Sequence, residues 1–221
     1  MGKVVFHGPV QGLGISNSRP DAPDASVEAH LIALAGGGAM LAHDLVDRRT
    51  VDIDLFTPDA DEVARLGKAL VEALTVRGME ASLARSEPTF VQLQVTTGDR
   101  RTTAVEIAVD ARLRPLVQLE VGPVLHPDEL AADKVLALFG RAAARDLVDV
   151  SALASRYELE KLLKLAEEKD RGFDRVVFSQ ALLVAAGRSD AAFRDADVSQ
   201  QRTAGLRAWA RDWSEQLART A

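Results

Sequence analysis

The sequence predicts an α+β fold: a mixed sheet carrying helices, followed by a C-terminal helical region. Three observations carry this expectation. Apolar and polar residues alternate strictly through Thr50–Phe56, and strand-like stretches recur near 90–96 and 103–110, the period-two pattern of half-buried strands. A long helical period at Val63, Leu66, Leu70, Val71 and Leu74 lies between these strands. Helical spacing then takes over from Asp128 nearly to the end, so the sheet and most of the helices are segregated along the chain. The expected organisation is a lead-in over 1–27, a sheet core over 28–125 and a helical domain over 126–221.

Each element has its own local justification. Residues 1–27 hold Gly8-Pro9, Gly12, Gly14 and the polar stretch from Ser16 to Asp24, a composition that favours a loose lead-in. His30–Ala35 is a short apolar run ending at Gly36-Gly37-Gly38, after which Met40, Leu41, Leu45 and Val46 recur at helical spacing over 39–46. In the strand Thr50–Phe56, Val51, Ile53 and Leu55 share one face, and Asp52 and Asp54 share the other. The helix over 59–78 starts on acidic residues and stops at Gly78, as helix termini prefer. Strands are expected at 79–86, 90–96, 103–110 and 117–121, with a turn at Gly98-Asp99-Arg100-Arg101, for a sheet of five or six strands. Pro127 opens the helical region, and further helices fall near 143–156, 158–169, 174–186 and 199–219.

Composition narrows the function classes. The chain has 221 residues, 47% hydrophobic and 27% charged, enough for a sizeable core. No apolar run approaches the roughly 20 residues of a membrane-spanning helix. With no cysteine, disulfides, thiolate zinc sites and cysteine nucleophiles are excluded. The start Met1–Gly8 is too short in apolar residues for a signal peptide, so the expected compartment is the cytoplasm. Net charge is −6, from 27 Lys plus Arg against 33 Asp plus Glu; any nucleic-acid partner must be held by a local basic patch.

The chemistry concentrates at a few positions. Asp52 and Asp54, two apart on a strand, point their carboxylates the same way. Like charges in that arrangement recruit a hard divalent cation or a basic partner, unless they merely line a solvated face. Upstream, Gly36, Gly37 and Gly38 stand at a turn into a helix, where backbone amides approach phosphate oxygens. Glu106 and Asp110 share a strand face, and either can complete a carboxylate site. Lys134 lies on the apolar stripe of its helix; its stem either snorkels past the core or carries its ammonium to a triphosphate. Asp146 shares a stripe with Val150, Leu153 and Tyr157, beside Arg145. The histidines at 7, 30, 43 and 126 have no ligand spacing.

Taken together, Leu34-Ala35-Gly36-Gly37-Gly38-Ala39, Arg48-Arg49-Thr50-Val51-Asp52-Ile53-Asp54-Leu55-Phe56, the helix Asp128–Leu138 with Lys134, and Arg141 with Arg145-Asp146-Leu147-Val148-Asp149 resemble the AbiEii/AbiGii nucleotidyltransferase toxin family, including its MenT-type members. The resemblance runs from about 28 to 170 and joins four separated blocks in order. It implies a polymerase-β-like nucleotidyltransferase fold and Mg²⁺-dependent transfer of NMP from an NTP, with two metal ions. It also implies the 3′ acceptor end of tRNA as target and a cognate antitoxin protein as partner. On the same basis Asp52 and Asp54 match the metal-binding pair, Glu106 stands where a third strand carboxylate falls, and Lys134 and Asp146 match the downstream functional lysine and aspartate. Gly36, Gly37, Gly38 and Arg49 are the expected nucleotide contacts. Relatives usually carry Ser or Thr at the position of Gly38, which here keeps only its backbone N–H. Two alternatives stay open at this level: transfer to a small molecule or a protein hydroxyl, and a silent relative that binds nucleotide or antitoxin without turnover.

Overall fold

A computed structural model describes residues 32–220; the lead-in expected over 1–27, with His7 and His30, lies outside the described residues. The described residues divide into two compact units, one formed by 32–42 with Thr50–His126, the other by His43–Arg49 with 127–220.

The first unit is a seven-stranded mixed sheet. Its strands are β1 (Ala33–Leu34), β2 (Ile53–Thr57), β3 (Glu80–Glu87), β4 (Phe90–Thr96), β5 (Thr102–Val109), β6 (Val117–Leu119) and β7 (Gly122–Val124), in the order β3-β4-β5-β2-β1-β7-β6. Helix α1 (Gly36–Ala42) follows β1, and α2 (Ala60–Val76) follows β2. From β2 the chain passes through α2 and returns as the antiparallel meander β3-β4-β5, whose last strand docks parallel to β2. Alternation sorts the faces. Leu55, Val91, Leu93, Val95, Val105 and Ile107 form the core with Val63, Leu66 and Leu70 of α2, while Asp54, Gln92 and Glu106 point to the opposite face. Gly67 brings α2 close, since a Cβ there would stand 2.8 Å from Val91 Cγ1. Asp59 caps α2 by accepting from the Asp61 N–H, satisfying one of the orphan donors of the first turn. The edge strand β3 is exposed along most of its length and broken by an irregularity between Leu83 and Arg85, a feature that blunts pairing with other chains.

Several local expectations shift. Val51 lies outside β2 and is 70% exposed, so Ile53, not Val51, is the first residue of the strand; the Thr103 hydroxyl binds the Val51 carbonyl instead of a neighbouring strand doing so. Helix α1 begins within the glycines and ends at Ala42, ahead of Leu45 and Val46. The sheet has seven strands where five or six were expected, because β1 and β7, of 2 and 3 residues, are too short to show a period.

The second unit holds α3 (Pro127–Arg141), α4 (Ala144–Leu153), α5 (Leu159–Lys169), α6 (Arg175–Ala186), α7 (Asp190–Asp195) and α8 (Gln200–Thr220). Helix α7 has no counterpart in the sequence reading; Ser189 caps it and Phe193 buries it. Leu130, Val135, Leu138, Leu147, Val150, Leu153, Leu162 and Leu182 are buried, along with a run of ring contacts from Phe139 through Phe173 and Phe178 to Trp213 at centroid spacings of 5.1, 5.4 and 5.2 Å. Among the described residues no helix is long and apolar enough to cross a membrane.

Candidate active site

In the first unit, three polar side chains stand in one row across three strands. Parallel pairing sets Asp54 of β2 opposite Glu106 of β5, and antiparallel pairing sets Glu106 opposite Gln92 of β4. All three are half-buried. Because an ionised carboxylate only accepts, the Gln92 amide donates, its Nε2 lying 2.8 Å from Glu106 Oε1. Asp52 precedes β2 at a bend, also half-buried. The glycine turn closes on this row: the Ala35 N–H donates to the Asp54 carbonyl at 2.8 Å, and Gly36 has φ +56°. A Cβ on Gly36 would overlap the Asp54 carboxylate, lying 2.5 Å from Cγ and 2.9 Å from Cβ. Position 36 therefore demands glycine twice, for its left-handed backbone and for the space the carboxylate fills.

A hard cation suits these donors. Magnesium is usually held by one or two carboxylates plus substrate phosphates, not by a closed protein cage. Asp54 and Glu106 supply adjacent carboxylates on one face, and among the described residues no group of three or more His, Asp or Glu is placed to hold a metal ion.

The second unit contains a separate buried ion cluster. Asp149, 1% exposed, accepts from Arg48 Nε at 2.6 Å and Nη2 at 2.8 Å, and pairs with Lys134 Nζ at 3.0 Å. The three groups sum to one positive charge. Burial pushes the Asp149 carboxyl upward, but the Arg48 hydrogen bond and the charges of Lys134 and Arg48 outweigh it and hold the group below the usual carboxylate range. Asp146 is engaged differently: Arg141 donates to both its oxygens at 2.8 and 2.7 Å, and the Ala143 N–H reaches Oδ2 at 3.3 Å at the start of α4.

A sequence model of the family described as nucleotidyl transferase AbiEii toxin, type IV toxin–antitoxin system, matches residues 23–220. The chain belongs to the AbiEii nucleotidyltransferase toxin family. Solved structures share the fold of this AbiEii-family enzyme. MenT4, a nucleotidyltransferase toxin from Mycobacterium tuberculosis H37Rv, aligns at TM-score 0.55 and 22% identity over 86% of this chain and 76% of its own. A Helicobacter pylori protein assigned provisionally as a nucleotidyltransferase gives 0.52 at 17% identity, over 88% and 94%. JHP933 from Helicobacter pylori gives 0.50 at 17%, over 88% and 92%. No curated protein matches the sequence.

Of the residues singled out in this AbiEii-family sequence, Gly36, Asp54 and Glu106 meet in the first unit, with Asp52 two residues from Asp54. Gly37 and Gly38 form the first turn of α1. Asp110 follows the end of β5, where its N–H donates to the Thr57 carbonyl. Lys134 and Asp146 do not pair with one another, and Arg49 is exposed, its carbonyl accepting from Arg48 Nη1 at 2.9 Å. Sequence reasoning missed Gln92 and Asp149. Nothing in the β4 period distinguishes Gln92 from Gln94; Asp149 was visible only as the last residue of Arg145-Asp146-x-x-Asp149.

Proposed function

We propose that this enzyme transfers NMP from an NTP to the 3′-hydroxyl at the acceptor end of tRNA, with Mg²⁺ held by Asp54 and Glu106 together with substrate phosphates, and with Asp52 adding negative charge from the bend before β2. The observation that carries the reading is the Asp54 carboxylate seated on Gly36 with Glu106 in register beside it. Such a row joins a phosphate-binding turn to a cation-binding pair. Held by Asp54 and Glu106, Mg²⁺ would supply charge neutralisation for the triphosphate and a lowered pKa for the attacking hydroxyl. Asp54 and Glu106 contribute negative charge whose backbone positions the sheet fixes side by side. Backbone amides at Gly37 and Gly38 meet phosphate oxygens; in the second unit Arg49 is an exposed cation available to a polyanion. Lys134 belongs to a cluster with one positive charge in excess, which suits a polyanionic ligand. Asp146 contributes by orienting the Arg141 guanidinium. In the transfer, a new ester bond forms from the acceptor oxygen to the α-phosphorus, the bond to the bridging oxygen breaks, pyrophosphate leaves, and the hydroxyl proton is lost to water.

The test is incubation of purified protein with total tRNA and each α-labelled NTP in turn, with Mg²⁺ or EDTA. Label should enter tRNA with at least one NTP, disappear in EDTA and fall by more than a hundredfold in Asp54→Asn. Label on a small cationic acceptor or a protein, and none on tRNA, would overturn the acceptor assignment.

A further inference from the structure

Gln92 occupies a position that the nucleotidyltransfer chemistry above leaves unused. It lies next to Glu106 on the far side from Asp54, in the same row, and its amide reaches one carboxylate oxygen only. The next row along the same face pairs Gln94 with Ala104, which has no side-chain acceptor, so the β4–β5 register gives a carboxylate partner to Gln92 and not to Gln94. We infer that Gln92 is a positioning residue for the metal site: it holds Glu106 Oε1 so that Oε2 is presented beside Asp54.

The chemistry of the donor matters here. A lysine or arginine at 92 would also fix Glu106, but its charge would offset the carboxylate and oppose a cation arriving alongside. A neutral amide fixes orientation and leaves the full negative charge available. Its cost is also small. Gln92 and Glu106 extend from central strands on either side of one ladder, and their neighbours Val91, Leu93, Val105 and Ile107 anchor both backbones in the core. Only the side-chain torsions of Glu106 remain to be restrained. The competing explanation is an ordinary cross-strand polar pair, which stabilises a sheet by about 0.2–1 kcal/mol and nothing more.

This inference rests on the metal reading of Asp54 and Glu106, and Mn²⁺ binding without NTP separates the two. Free Mn²⁺ would be titrated by electron paramagnetic resonance in wild type, Asp54→Asn, Glu106→Gln, Gln92→Met, Gln92→Ala and the Gln92→Met/Glu106→Gln double variant. Methionine keeps the length of glutamine without its donor, and alanine covers the case in which methionine packs poorly. Loss of an orienting partner should weaken Mn²⁺ binding about tenfold, with the melting temperature nearly unchanged. In the Glu106→Gln background, removing Gln92 should weaken binding no further. Wild-type affinity in both Gln92 variants, or an equal loss with and without Glu106, would overturn the positioning role while leaving the metal site standing. Absence of Mn²⁺ binding in wild type, or full binding in Asp54→Asn, would remove the metal reading and this inference with it.

Discussion

At Gly36 one methyl group decides whether Asp54 can stay where it is. Alanine there must adopt a left-handed backbone, at a cost of about 1–2 kcal/mol, and must displace the Asp54 carboxylate from the space its own Cβ would fill. Gly36→Ala is therefore expected to lower transfer by two orders of magnitude or more, and to lower the melting temperature by several degrees; both are read from initial rates and thermal unfolding. Gly38 behaves differently. A Cβ at that position would meet only the tip of Leu34, at 3.2 Å from Cδ1, and a flexible side-chain end can yield. Gly38→Ser should fold normally and, by adding a hydroxyl at the nucleotide turn, lower KM for NTP with little change in kcat. An unchanged KM would show that a hydroxyl at position 38 does not reach the phosphates.

Helices α3 and α4 meet through charge as well as through leucine. Asp149 on α4 is buried between Arg48 and Lys134, and removing the acid takes away the carboxylate that the two cations share. Losing one partner of a buried pair costs about 3–5 kcal/mol, so Asp149→Asn should lower the melting temperature far more than Lys134→Ala, which leaves Asp149 held by the Arg48 fork. Transfer should fall strongly in Lys134→Ala all the same, and normal turnover with a destabilised fold would mark Lys134 as purely structural. The pH dependence has a definite sign. Asp149 is held below its ordinary value in the folded chain, so its stabilising contribution is complete above the unfolded carboxylate pKa near 3.9 and is lost as pH falls through the folded value. The stability gap between wild type and Asp149→Asn, measured by denaturant unfolding from pH 7 to pH 3, should be constant down to about pH 4 and shrink below it.

Over the whole molecule a net charge of −6 opposes RNA binding, so any tRNA affinity must come from local cations. Some of the arginines that sequence offers are committed elsewhere. Arg48 is engaged by Asp149 and Arg141 by Asp146, whereas Arg49 and Arg145 are exposed. Each phosphate neutralised on a single strand contributes about −0.7 to the log–log slope of binding against salt. With saturating NTP, transfer to tRNA should fall steeply with rising NaCl, and the slope should become shallower by about one unit in Arg49→Glu/Arg145→Glu, within the range expected for one or two lost contacts. A flat profile in both proteins would sink the RNA acceptor and favour a small cationic one.

Period and punctuation in the sequence by themselves determined the α+β class, the strands around 53–57, 90–96 and 102–109, the long helix between them and the order of the C-terminal helices. Those features are local: a strand's alternation and a helix's stripe are written into neighbouring residues whatever the rest of the chain does. The glycine turn, the Asp-x-Asp pair and the blocks around Lys134 and Asp146 were legible as candidates for the same reason. Which of them meet was decided only by the tertiary structure. Glu106 stands beside Asp54 because β5 docks parallel to β2 after the intervening meander, and Gln92 joins the row because the β4–β5 ladder has that register and no other. Lys134 shares Asp149, rather than Asp146, with Arg48, a residue 101 positions away from that aspartate. Strands of 2 and 3 residues at β1 and β7 exist only because their neighbours supply hydrogen-bond partners. Contacts between distant segments depend on strand register and on the desolvation of paired charges, and neither leaves a repeating trace along the chain.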